Sequence, residues 1–314
     1  MKRLLLLALF CVLGVVQLHA QNSRHDNPLM ADPTIFYHNG IYYLYGTGPG
    51  AHGFKVFTST DKVHWEDKGM VLKPGESYGE KNFWAPQIFQ YKGKFYMAYT
   101  ASEHIAIAEA DSPLGPFTQK VLRPVDSSQR MIDPFILIDG GKIYMYHVRL
   151  ENANRIFVGE LTEDLSTLKH ETLKECIYPE ANTWEDVENK KWKVTEGPTV
   201  IKHKGVYYLL YSGNGFRSPD YAVGYATATN PVGTWKKYEG NPIISRKDIG
   251  LNGPGHGDVL IDKDGKMYYV LHVHYSDTSI GPRKTAIVDI RFKKVAKGPD
   301  VIEADFSTFR LLKK

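Results

Sequence analysis

Five segments of the chain repeat one design. They start at Asp32 (DPTIFYHNGIYYLY), Ala85 (APQIFQYKGKFYMAY), Asp133 (DPFILIDGGKIYMYH), Gly197 (GPTVIKHKGVYYLLY) and Gly257 (GDVLIDKDGKMYYVLH). Each reads as a strand, a polar glycine-containing turn and a second, Tyr-rich strand. The turns are Asn39-Gly40, Lys92-Gly93, Gly140-Gly141, Lys204-Gly205 and Asp264-Gly265. Alternating apolar runs on either side of such dipeptides are β-hairpin signals. A third strand follows in each unit, starting near Phe54, Ile105, Arg155, Tyr221 and Thr285. The hairpins start 48 to 64 residues apart. Units of that length with three or four strands suit propeller blades, so the fold expected is an all-β, five-bladed β-propeller. A β-sandwich would not need five equivalent hairpins. No helix-period stretch longer than a turn or two stands outside the first twenty residues.

Those twenty residues are a different object. Lys2 and Arg3 precede an apolar run from Leu4 to Val16, and Ala20 closes it. This is the pattern of a secretory signal peptide at 1–20, which leaves 21–314 as a single propeller domain. Export to the periplasm or the extracellular space is the expectation. No other stretch reaches 18 apolar residues, so membrane insertion is not expected. The formal charge of +4 falls to +2 without the leader, which has two cations and no anions. So small a charge argues against a nucleic-acid partner. Of the two cysteines, Cys11 lies in the leader and Cys176 stands alone, so an intrachain disulfide is not expected in the mature chain. Cys176 reads as a buried thiol; a catalytic thiol would need a base beside it.

In a propeller, the first strand of each blade lines the central channel. Equivalent positions of the repeat should therefore ring one end of it. The aligned pairs are Ala31-Asp32, Trp84-Ala85, Ile132-Asp133, Glu196-Gly197 and His256-Gly257. Three acids, a Trp and a His would meet on the axis. Asp is poorly suited to strands, and a lone one would be a turn or cap residue. Three in equivalent register point to chemistry. Converging carboxyls suit glycoside hydrolysis, in which one is protonated to help the leaving oxygen depart and another is ionised. A third negative charge nearby raises the pKa of the acid.

The runs Asn27-PLMADP, Phe83-WAPQI, Ile132-DPF, Thr195-EGPTV and Gly255-HGDV resemble, in order, the signature segments of glycoside hydrolase family 43. Thr58-STDKVHW and Ala110-DSPLGPF are similar to that family as well. The resemblance implies a five-bladed propeller that hydrolyses with inversion. It implies Asp32 as general base, Asp133 as the residue that tunes and orients the acid, and Glu196 as general acid. Trp84 either stacks on a sugar or packs its blade. His256 matches an axial His associated with a cation or its water shell, a structural calcium being the candidate, or else bonds the neighbouring carboxylates. Arg283 resembles a substrate-contacting Arg, with a surface position as the alternative. No cofactor is required for the chemistry.

Other groups carry weaker signals. His272 and His274 alternate along one strand, a spacing compatible with metal ligation. Glu180, Glu185, Asp186 and Glu188 lie out of repeat register in the charged segment 178–195 and read as solvated. That segment, with Trp184 and Trp192, is either a blade-edge loop or a wall of a ligand cleft. The run Ser59-TDKVHW reads as a turn held by Asp61 and packed by Trp65.

The expected activity is release of a terminal pentose, α-L-arabinofuranose first, from plant polysaccharide or oligosaccharide side chains. β-Xylosidase, endo-arabinanase or xylanase, and exo-galactanase are alternatives within the family. A non-catalytic carbohydrate-binding propeller and a protein-interaction propeller are readings of other classes. The partner expected is a carbohydrate; no obligate protein partner is evident.

Overall fold

The computed structural model describes residues 27–314. The leader and Cys11 lie outside the described residues. Among the described residues, nineteen strands form five antiparallel sheets, each a blade. Blade 1 holds β1 (Ala31–His38), β2 (Ile41–Thr47), β3 (Phe54–Ser59) and β4 (Glu66–Leu72). Blade 2 has three strands, β5 (Trp84–Tyr91), β6 (Lys94–Ala101) and β7 (His104–Ala110). Blade 3 holds β8 (Met131–Asp139), β9 (Lys142–Leu150), β10 (Asn154–Glu160) and β11 (Lys174–Ile177). Blade 4 holds β12 (Thr195–His203), β13 (Val206–Gly213), β14 (Ala222–Ala228) and β15 (Lys236–Lys237). Blade 5 holds β16 (Gly255–Ile261), β17 (Met267–Val273), β18 (Lys284–Lys293) and β19 (Val301–Leu311). The five-bladed propeller expected from the repeat is the observed fold.

The turns explain the hairpin grammar. In four of them both residues have positive φ, as at Asn39 (49°) and Gly40 (83°). That geometry matches the right-handed twist of the flanking strands, and Asn and Gly accept it at low cost. The fifth differs: Asp262 Oδ1 accepts the amides of Asp264 (3.1 Å) and Lys266 (3.0 Å) and shapes a longer loop.

Packing lies between blades. Both faces of every middle strand are covered, so β2, β13 and β17 are buried almost without alternation. Five apolar clusters result, one at each blade junction. Tyr45 and Tyr146, in equivalent strands, donate their hydroxyls to the carbonyls of Pro113 and Pro231 of the next blade. This gives Ser112-PLGPF and Asn230-PVGTW the same structural task. Asp61 accepts the amides of Val63 and His64 above a buried Trp65, as its turn predicts.

Among the described residues, no strand is shared between the first and last blades. The ring closes through loops: Thr285 N bonds Pro28 O (3.4 Å), and Trp65 N bonds Lys313 O (3.0 Å). Lys62 and Asp262, both largely buried, add an ion pair at 3.0 Å across the same seam.

A β-bulge interrupts the first strand of every blade, at Ala31/Thr34, Trp84/Gln87, Ile132/Phe135, Glu196/Thr199 and Gly255/Asp258. Its second residue has positive φ in each: Asp32, Ala85, Asp133, Gly197 and His256. This corrects the fifth alignment by one residue. His256 corresponds to Asp32 and Asp133, not to Glu196. The slip arose because Gly257 stands where the other blades have Pro33, Pro86, Pro134 and Pro198. A Cβ on Gly257 would stand 1.8 Å from the Val270 carbonyl oxygen, which explains the glycine.

Candidate active site

A bulge sets two residues against one on the partner strand and re-aims their side chains. Asp32, Asp133, Glu196 and His256 thereby line one cavity of about 440 Å³ at the channel mouth. The bulge also strips the left-handed residue of its strand partner, and its amide must find another. The amides of Ala85, Asp133 and His256 donate to Thr47, Thr100 and Ser212 of the preceding blade, at 2.9 Å each. The Asp32 amide meets His272 Nδ1 of blade 5 at 3.1 Å. In blade 3 the equivalent strand position is Val148, which offers no acceptor. The Gly197 amide therefore donates to Asp133 Oδ2 (3.2 Å). One layer further along the strands, Asp258 accepts hydroxyls from Thr34 (2.7 Å) and Thr199 (2.6 Å), tying blades 1, 4 and 5 beneath the acids.

The three carboxyls have different surroundings. Asp32 accepts Thr47 Oγ1 (2.6 Å) and Arg283 Nη1 (3.3 Å), and His256 Nδ1 lies 3.3 Å away. Burial is the largest influence on it and pushes its pKa up. Arg283, His256 and the Thr47 hydroxyl together outweigh burial and hold it below the ordinary value. Glu196 accepts the Tyr221 hydroxyl on Oε1 (2.8 Å) and Asn154 Nδ2 on Oε2 (2.9 Å). Burial raises its pKa, with the Asp32 charge adding, against His256 and these donors. Asp133 rises to about 7, from burial first and then the charges of Glu196 and Asp32, against the pull of His256. Asp133 and Glu196 interact, so their protons belong to the pair rather than to either residue. His256 lies 3.7 Å from Asp133 as well. Burial would lower its pKa, but Asp133, Asp32 and Glu196 prevail and raise it, which favours the imidazolium form.

The sequence-predicted site residues Trp84 and Arg283 also line this cavity. Arg283 is not a free surface residue: it lies 3.1 Å from His272 Nε2 and over the Phe216 ring at 4.7 Å. His272 and His274 do not form a metal pair. His272 is fully buried between Asp32 and Arg283, and His274 Nε2 donates to the Phe216 carbonyl (2.8 Å). Among the described residues, no group of three or more His, Cys, Asp or Glu side chains is disposed to hold a metal. His256 Nδ1 faces Asp32 (3.3 Å) and Asp133 (3.7 Å), the carboxylate-bonded alternative for this residue.

Two of the four acids read as solvated are buried. Glu185, 1% exposed, accepts Tyr211 Oη (2.5 Å), the Glu180 amide (2.7 Å) and Lys237 Nζ (2.7 Å). Asp186 accepts the Lys190 amide (2.8 Å). They anchor the segment 178–195 and do not line the cavity; Glu180 and Glu188 are exposed, as expected. Pairing with Lys237, a residue 52 positions away, is what made burial of Glu185 tolerable. The same segment walls the cleft through Trp192, while Trp184 packs on Tyr211. Cys176 is half-buried, and burial pushes its thiol pKa up, away from reactivity.

Sequence reasoning missed Tyr221, Asn154, Phe216, Glu103 and Arg130. None stands in the repeat register that exposed the acids. Tyr221 follows a loop, and Asn154 opens a third strand.

The model of "Glycosyl hydrolases family 43" matches residues 26–295. The fold is similar to the crystal structure of an endo-1,4-β-xylanase from Bacteroides thetaiotaomicron VPI-5482, with TM-score 0.85 and 39% identity, covering 92% of this chain and 99% of that one. A β-D-galactofuranosidase from Aspergillus niger is 26% identical over 88% of this chain and 84% of its own length. An extracellular exo-α-(1→5)-L-arabinofuranosidase from Streptomyces avermitilis is 26% identical over 86% of this chain and 60% of its own length. The family match takes in the first strand of every blade and extends from before β1 to the end of β18, so the chain belongs to glycosyl hydrolases family 43.

Proposed function

We propose that the protein is an exported, exo-acting, inverting glycosidase that removes a terminal pentose, α-L-arabinofuranose first, from plant polysaccharide or oligosaccharide side chains. The observation that carries the reading is the opposed tuning of two carboxyls on one cavity. Asp32 is held ionised by Arg283, His256 and Thr47, while burial keeps Glu196 inclined to carry a proton. An ionised carboxylate can take a proton from water as that water attacks the anomeric carbon. A protonated one can give its proton to the departing oxygen. Inversion needs room for the water between them, a gap of roughly 6.5–9.5 Å. The two carboxyls come from blades 1 and 4, which are not neighbours in the ring.

Asp133 serves the acid without transferring the proton. Its Oδ2 holds the amide of Gly197, the residue after Glu196, and the two carboxyls titrate as a pair, so ionisation of one disfavours ionisation of the other. His256 enters as the imidazolium partner of Asp32 and Asp133, because its Nδ1 faces their oxygens. The segment 178–195 narrows the cleft at Trp192, which favours attack at chain ends. A xylose-directed reading is supported by the names of several relatives, the 39% identical endo-1,4-β-xylanase and a xylosidase/arabinosidase among them. Export rests on the leader pattern at 1–20 and on the extracellular arabinofuranosidase among the relatives.

The test is hydrolysis of aryl α-L-arabinofuranoside and aryl β-D-xyloside, beside arabino- and xylo-oligosaccharides, by wild type and Glu196→Gln. Cleavage of one sugar series, lost on the oligosaccharide in the variant, supports the reading. NMR of the first-formed anomer checks inversion. Cleavage of neither series would sink the pentosidase assignment.

A further inference from the structure

Asn154 is buried at the head of β10 and is held from both sides of its backbone. Its amide donates to Lys193 O (2.9 Å), and its carbonyl accepts Thr195 Oγ1 (3.2 Å). The end of the segment 178–195 is thereby stitched to blade 3. The side chain of Asn154 spans the gap between that segment and the acid. Trp192 Nε1 donates to Asn154 Oδ1 (2.8 Å), and Asn154 Nδ2 donates to Glu196 Oε2 (2.9 Å). An indole nitrogen is a donor only, so it decides which end of the amide faces it. The NH₂ end must then face Glu196. A flipped amide would set an acceptor against a carboxylate oxygen.

Trp192 has a second face. It is 44% exposed and lines the same cavity as Glu196, beside the apolar Ile132 and Leu150. The Glu103–Arg130 ion pair (3.0 Å) adds a polar group to that wall. An exposed indole with charged neighbours matches a sugar ring, which has an apolar face and a hydroxylated edge.

We propose that Trp192 is the platform for the sugar on the leaving-group side and, through Asn154, a positioning residue for Glu196. This rests on reading Glu196 as the general acid. One indole then serves both ends of the departure: its face holds the leaving sugar, and its N–H locks the amide that aims the carboxyl giving that sugar its proton. With Tyr221 on Oε1 and Asn154 on Oε2, the carboxyl has a defined plane. Releasing the amide removes a donor that favours the ionised form, so the pKa of Glu196 rises. The acid works protonated, and the alkaline limb of kcat/KM moves to higher pH.

The experiment compares Trp192→Phe, which keeps a ring and loses the N–H, with Trp192→Ala, which loses both. Substrates are a pentose oligosaccharide and an aryl pentoside, whose good leaving group needs little acid. Trp192→Phe should lower kcat on the oligosaccharide about tenfold, with KM within about threefold, and raise the alkaline limb by about half a pH unit. Trp192→Ala should also raise KM for the oligosaccharide about tenfold, the loss being larger there than on the aryl pentoside. Wild-type kcat and an unmoved alkaline limb in Trp192→Phe would overturn the positioning role. An unchanged oligosaccharide KM in Trp192→Ala would overturn the platform.

Calorimetric titration of the oligosaccharide into Glu196→Gln, with and without Trp192→Ala, reads the platform without turnover; equal affinities would overturn it. Full oligosaccharide activity in Glu196→Gln would instead overturn the acid assignment, and the positioning role with it. Melting curves check that each variant folds, and the Phe variant carries the positioning test if the Ala variant does not.

Discussion

The Gly197 amide donates to Asp133 Oδ2 at 3.2 Å, joining the residue after one acid to the carboxyl of another. In the other four blades the equivalent amide meets a side chain of the preceding blade's second strand. The exception falls at the junction of blades 3 and 4, where the proposed acid stands. Asp133 does there what Thr47, Thr100, Ser212 and His272 do elsewhere, and it brings a negative charge.

That charge is costly to fold around. The folded pKa of Asp133 is about 7, above its unfolded value of 3.8, so the native state binds more protons between those values. Its contribution to stability therefore falls as pH rises from about 4 to 7. Asp133→Asn removes this penalty and keeps an acceptor for Gly197. The variant should melt about 2–5 °C above wild type at pH 7, with the gain shrinking towards pH 4. Its kcat should fall at least about a hundredfold, and the alkaline limb should move down as Glu196 loses a negative neighbour. Calorimetric melts at both pH values and a pH–rate profile check both halves.

Thr47 does two things with one hydroxyl: it donates to Asp32 and accepts the Ala85 amide. Thr47→Val keeps the shape and removes both bonds. Leaving a buried amide unpaired should cost about 1–3 kcal/mol, read by denaturant unfolding. The loss of a donor raises the pKa of Asp32. As the proposed base, Asp32 works ionised, so the acid limb of kcat/KM should move to higher pH.

Arg283→Lys tests whether planar geometry matters beside Asp32. A lysine keeps the charge but cannot sit against Asp32, His272 and the Phe216 face together. We expect kcat/KM to fall about 10–100-fold, with the acid limb again moving up. Wild-type kinetics in this variant would show that charge alone suffices.

Gly257→Ala probes the corrected register of blade 5. A Cβ 1.8 Å from the Val270 carbonyl oxygen must push β16 from β17 and displace His256. Destabilisation of about 2–4 kcal/mol is expected, measured by thermal or denaturant unfolding. Gly205→Ala is the contrast: its Cβ would meet nothing within 4 Å, so only its positive φ, 79°, opposes the change.

The hairpin architecture was legible because its determinants are local. A dipeptide such as Asn39-Gly40 dictates its turn from its own φ preferences, and the five repeats expose the blade count. The acids were legible for a related reason: Asp32, Asp133 and Glu196 occupy repeat positions that the ring brings to one mouth. The register failed by one residue in blade 5, where no proline marks the bulge and only the pairing of Gly255 with His272 reveals it.

What the sequence determined by itself was the fold, the family resemblance and the identity of the three carboxyls, because strand period, turn chemistry and repeat register are short-range properties. Only the tertiary structure decided what each carboxyl experiences. Arg283 lies 251 positions from Asp32, Tyr221 and Asn154 reach Glu196 from different blades, and Lys237 makes burial of Glu185 tolerable. Burial and charge act through space, and closure of the ring sets those distances.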